Sequence, residues 1–144
     1  VFLQLSRLWI SIVIDGDSST LIEFGYLVPG DRVQTIKAEL ALPLEAPIGP
    51  AAPYDRVRFE DRGTVCGFCH IGERQVEEVT FAAAFASVAY RPRPESQVSI
   101  EALQVEAQLC DVRAQPNRCE MLAALFDGGL VTETVFPETM ATFF

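Results

Sequence analysis

The sequence predicts an α+β protein, an antiparallel β-rich N-terminal part followed by a small helical C-terminal part. Three observations predict it. Runs of β-branched and aromatic residues fill the first forty positions, a proline-rich stretch interrupts them, and beyond residue 73 the apolar spacing lengthens from two to about 3.6. The expected division is residues 1–53, β-rich with a connector, and residues 54–144, helical and ligand-binding.

In the first part, "LWISIVID" (Leu8–Asp15) and "TLIEFGYLV" (Thr20–Val28) read as strands, joined by the turn-forming "GDSS" into a hairpin. A third strand is expected over Arg32–Leu42, after the turn signal Pro29-Gly30-Asp31. Residues 43–53 hold four of the nine prolines, which remove backbone donors and fix φ, so they read as an extended connector.

In the second part, Phe81, Phe85 and Val88 recur at helical spacing behind Glu73, Glu77 and Glu78, acids that suit a helix N-terminus. A helix over Glu73–Tyr90 is therefore expected, ending before Arg91-Pro92. A second should start at the N-cap Ser99, present Ile100, Leu103 and Ala107 on one face, and reach about Cys110. The third, "PNRCEMLAALFDGG", has Pro116 at its start and glycines at its end, with Leu122, Leu125 and Phe126 toward the core.

Composition narrows the function. The chain has 144 residues, 49% of them apolar and 10% aromatic, which suits a globular core. Its net charge of −9 repels phosphate backbones and anionic lipid, so no nucleic acid is expected as a partner. A protein partner would present a basic patch. No apolar run reaches the roughly 18–20 residues of a spanning helix, so no direct membrane insertion is expected. The chain opens at Val1 rather than Met, which is expected of a processed or trimmed chain, so the lack of a signal peptide does not argue for the cytoplasm.

The segment "TVCGFCHIG" carries the chemistry. Cys66, Cys69 and His70 fit C-x-x-C-H, the spacing at which two thiols reach the two vinyl groups of one porphyrin and the adjacent imidazole reaches its iron. His70 is the sole histidine, so two-histidine ligation within one chain is excluded. The sixth position falls to Met140, Met121, a weaker ligand such as Lys37, water, or nothing. A thioether there suits electron transfer and an open position suits a gas-binding or peroxidatic site. Phe68 would help to cover the ring.

Cys110 and Cys119 enclose eight residues between the second and third expected helices, a spacing that suits a disulfide across a helical hairpin. A competing use of all four cysteines is one zinc ion, although the second pair lacks the short zinc spacing. Purely structural or redox cysteines are the remaining reading. Glu77-Glu78 and Asp15/Asp17 read as a solvated helix start and a hairpin turn rather than paired catalytic carboxylates. "DGDSS" opens like a calcium loop but has Tyr26 where the bidentate Glu belongs. No catalytic residue is assigned, and the chain is not expected to be an enzyme by itself.

From about Phe59 onward the chain resembles a small c-type cytochrome, on the strength of "CGFCH" and a late methionine in "FPETMATFF". Gly128-Gly129 followed by Met140-Ala141-Thr142-Phe143 loosely repeats the Met-x-x-Phe loop of class I members. The resemblance implies one covalent haem c, thioethers at Cys66 and Cys69, His70 as proximal and Met140 as distal ligand, and electron transfer to a redox partner. The first 60 residues have no counterpart in that family, and here the chain stops four residues after Met140. Haem attachment and a disulfide both imply an oxidising compartment, periplasmic or extracellular, at the cell envelope. The β-rich part would mediate assembly with a partner or with copies of itself. The alternative function is a haem-free, disulfide-stapled interaction module of the same compartment.

Overall fold

A computed structural model describes residues 1–44 and 46–143, so residue 45 of the proline-rich connector lies outside the described residues. Its centre is an antiparallel sheet of six strands. Strands β1 (Phe2–Leu5) and β2 (Leu8–Ile12) form a hairpin around Ser6, whose φ of 55° opens a tight turn. In the turn, Arg7 donates from Nε and Nη2 to the Leu27 carbonyl oxygen at 3.2 and 2.6 Å.

The three expected strands follow. β2 pairs with β3 (Leu21–Val28) across the "GDSS" turn, where Gly16 has φ of 83°, and β3 pairs with β4 (Gln34–Ala41) over all eight residues. Successive side chains on each strand point to opposite faces of the sheet, and β4 is buried on both faces from Thr35 to Ala38. Trp9, Gly25 and Lys37 form a cross-strand row on one face; Leu8, Tyr26 and Ile36 form a row on the other. Helix α1 (Ala52–Val57) takes up the end of the expected extended connector and packs against β4.

The expected helix over Glu73–Tyr90 is corrected. That segment forms β7 (Arg74–Val76) and β8 (Ala84–Val88), and the sheet order is β1-β2-β3-β4-β8-β7. β8 lies between β4 and β7 and all five of its residues are buried, so it shows no alternation to identify it as a strand. Alanine's helix preference yields there to strand pairing. The sheet therefore draws strands from both sides of the expected boundary near residue 53. The short pair β5 (Arg58–Phe59) and β6 (Gly63–Thr64) precedes β7, and β9 (Tyr90–Arg91) follows β8.

The other two helices form as expected. In α2 (Ile100–Leu109) the Ser99 hydroxyl accepts from the Ala102 N–H at 3.2 Å, and Ile100, Leu103 and Ala107 are its half-buried face. In α3 (Pro116–Asp127) Leu122 is fully buried, with Leu125 and Phe126 half-buried beside it. The Cys110–Cys119 disulfide joins the helices, Cα atoms 5.5 Å apart, and Arg118 of α3 reaches Glu106 of α2 at 2.8 Å. After α3 the chain returns to the sheet. Met140 packs with Trp9 and Ala89 in the core, and β10 (Ala141–Thr142) pairs in parallel with β9.

Replacing Cys110 and Cys119 by Ser removes a cross-link between residues nine apart in sequence, and is expected to lower unfolding free energy by about 2–3 kcal/mol. Leu122→Ala should cost about 2–5 kcal/mol, because a fully buried side chain leaves a cavity. Urea unfolding, read through midpoint and slope, checks both.

Candidate functional site

The motif sits on a four-residue 3-10 turn, Val65–Phe68, that leaves β6. The N–H groups of Cys69 and His70 both donate to the Cys66 carbonyl oxygen, at 3.1 and 2.8 Å. Both motif cysteines are free thiols; Cys66 is half-buried and Cys69 exposed. Phe68 is 72% exposed and meets only Phe59 edge to face, with centroids 5.0 Å apart.

Glu73 holds this turn from beneath. Its carboxylate accepts from the buried Thr64 through both the backbone N–H, at 2.9 Å, and the hydroxyl. A Cβ added at Gly63 would lie 2.1 Å from a Glu73 oxygen, and one at Gly67 would lie 3.0 Å away. A side chain at Gly63 would push the carboxylate off its bonds with Thr64, and Gly67, inside "CGFC", also lies against it. Sequence reasoning placed Glu73 at a helix start and missed this role; the two glycines flanking the first cysteine were the available signal.

His70 is held by β8. Its Nδ1 lies 2.8 Å from the Val88 carbonyl oxygen, which can only accept, so Nδ1 carries the proton and Nε2 the lone pair. The Tyr90 ring lies against the imidazole, centroids 5.2 Å apart. Burial, with the positive charge of Lys37 adding to it, lowers the His70 pKa from its usual value, which favours the neutral, ligand-competent ring.

Cys66, His70 and Met140 line one cleft of about 100 Å³, together with Trp9, Lys37 and Tyr90. The structure thus brings together three of the sequence-predicted residues, Cys66 and His70 from the motif turn and Met140 from near the end of the chain. Cys69 and Phe68 do not line it, and Met121 is a half-buried residue of α3 away from it. Met140 is 4% exposed. The helix expected over Glu73–Tyr90, directly after the motif, is absent, because that segment forms β7 and β8.

Lys37, the only lysine, is buried at 9% exposure in the middle of β4. Burial lowers its pKa to about 8, against the opposing pull of Cys66, Glu23 and Glu73. Burial pushes the Cys66 thiol up, opposed by a hydrogen bond with Thr64 and by Lys37. Cys66 is therefore a protonated thiol near neutrality, unlike the low-pKa cysteine of a thiol oxidoreductase. The four-cysteine zinc reading is overturned because Cys110 and Cys119 are bonded to each other. Among the described residues no cluster of three or more His, Cys, Asp or Glu could hold a metal ion.

The lowered Lys37 pKa has a stability consequence. Between about pH 8 and the unfolded value of 10.5 the unfolded chain holds a proton that the folded chain has lost, so this group's contribution to stability rises with pH across that window. Lys37→Met removes the buried charge. Its stability advantage over the unaltered chain should be constant below pH 8 and shrink by up to about 1.4 kcal/mol per pH unit above it. Urea titrations of the haem-free chain at pH 7, 9 and 10 check this.

No protein-family model, no curated protein and no solved structure matches this chain.

Proposed function

We propose that the chain carries one covalent haem c and serves one-electron transfer. The observation that carries this reading is the His70 imidazole, whose Nδ1–H is tied to the Val88 carbonyl, leaving Nε2 for a metal in a cleft shared with Cys66 and the Met140 thioether. A backbone carbonyl on the second ring nitrogen is the usual support of a metal-bound histidine. The donor set fits the group: two free thiols at porphyrin-vinyl spacing, one neutral imidazole and one thioether. Cys66 and Cys69 would hold the ring, His70 and Met140 would supply iron ligands, and the exposed Phe68 and Phe59 would cover the solvent side. When bound, the haem supplies reversible one-electron chemistry, and a thioether ligand raises its potential. The Cys110–Cys119 disulfide supports an oxidising compartment, and the net charge of −9 supports a redox partner with a basic patch.

A second reading is a haem-free interaction module stapled by the disulfide. The cleft favours it: about 100 Å³ is below the roughly 300 Å³ at which small-molecule sites begin. Met140 also has an ordinary packing role against Trp9 and Ala89. In this reading the open ends of the sheet, β1 and β7, would carry assembly.

Production in a host competent in haem attachment separates the two. The first reading expects a Soret band and an intact mass increased by one haem, both lost in Cys66→Ala/Cys69→Ala; an unmodified mass with no Soret band overturns it. Given attachment, Met140→Ala should lower the reduction potential and change the visible spectrum of the reduced protein, whereas Met121→Ala should change neither. An unchanged spectrum in Met140→Ala removes that residue as ligand.

A further inference from the structure

The opposite face of the sheet carries a second concave site. Along β4 the side chains alternate, so Lys37 faces the motif cleft while Ile36 and Leu40 face a groove behind the sheet, and Ala38 borders both. Ile36, Ala38 and Leu40, with Leu8, Phe24 and Tyr26, floor this groove of about 520 Å³, within the roughly 300–1,000 Å³ range of small-molecule sites. One wall is Pro50, Pro53 and Tyr54, around the start of α1; the other is Glu78, Val79 and Phe81, from the loop between β7 and β8. The walls meet where Tyr54 and Phe81 pack edge to face, centroids 5.8 Å apart.

The lining states the chemistry of an occupant. Its floor is apolar, and its only charged side chain is the Glu78 carboxylate, next to Glu77 in a chain of net charge −9. An anionic amphiphile would be repelled. An organic cation is attracted by the carboxylate and by the negative faces of the two wall rings. Tyr26 is already engaged, with the Arg7 guanidinium 4.8 Å from its centroid, which leaves Tyr54, Phe81 and Glu78 for a second cation. We infer that this groove binds a small amphipathic organic cation, its alkyl or aryl part on the sheet and its ammonium group at Glu78, Tyr54 and Phe81.

The site lies behind the motif cleft, sharing only Phe24 and Ala38 with its lining, and does not depend on haem. Calorimetric titration of the full chain with octyltrimethylammonium, octyl sulfate and octanol, each below its micellar concentration, tests it. The cation should bind roughly tenfold more tightly than the sulfate. Glu78→Gln should weaken the cation severalfold and leave octanol unchanged, and Cys66→Ser/Cys69→Ser should leave all three unchanged. Equal binding of sulfate and cation, no binding of the cation, or an unchanged affinity in Glu78→Gln overturns the inference. So does a dimer that Phe81→Glu dissociates, because a second copy would then be the occupant. Phe81 is 55% exposed, so its replacement does not threaten folding.

Discussion

The structure depends on the seating of β8 between β4 and β7. Its last residue, Val88, presents its carbonyl to His70 Nδ1 and donates its N–H to the Ile71 carbonyl, while the next residue, Ala89, donates to the Val33 carbonyl. Three successive functions therefore fall within two residues: sheet pairing, orientation of the only histidine, and entry into β9, which pairs with β10 directly after Met140. Little tolerance remains at such a strand. It is built from Ala84, Phe85, Ala86, Ser87 and Val88, all buried, because neighbours approach from both faces and both edges.

The same packing decides what the sequence could reveal. β2, β3 and β4 were legible because β-branched and aromatic runs lie between turn signals, and α2 and α3 because Ser99, Pro116 and Gly128 punctuate them. β8 was not legible, since burial on both faces erases the alternation and leaves an alanine-rich stretch that scores as helix. In the site, Cys66 and His70 could be named from their spacing, and Met140 from its position. The groups that hold them could not. Glu73 grips Thr64 and Val88 grips His70 only once β7 and β8 are folded beside the motif, and no local pattern encodes either contact.

Electrostatics in the cleft follow from its place in the sheet. Lys37 stands opposite Gly25, and Glu23 opposite Glu39, so a like-charged cross-strand pair lies beside the one buried ammonium. Arg56 of α1 reaches Glu39 at 2.7 Å and takes up part of the excess negative charge. Lys37 remains the only cation among the cleft-lining residues, and its charge opposes protonation of His70 while pulling the Cys66 thiol back toward ionisation. One lysine thus acts on both chemical groups of the motif that face inward, favouring the neutral imidazole of one and the ionised thiol of the other.

The two-residue period of β4 also sorts its side chains between the two concave sites, with Ala38 alone bordering both. Odd-numbered positions, Thr35, Lys37 and Glu39, belong to the motif cleft; Ile36 and Leu40 belong to the groove behind the sheet. A one-residue slip of β4 would exchange these sets, placing a lysine and a glutamate on the apolar floor and isoleucine beneath the motif. Full-length pairing with β3, the three-residue pairing with β8 and the packing of α1 against the remainder oppose such a slip. The register that buries Lys37 beside Cys66 is therefore the same one that leaves the opposite face apolar, and neither site can be lost by a shift of β4 without losing the other.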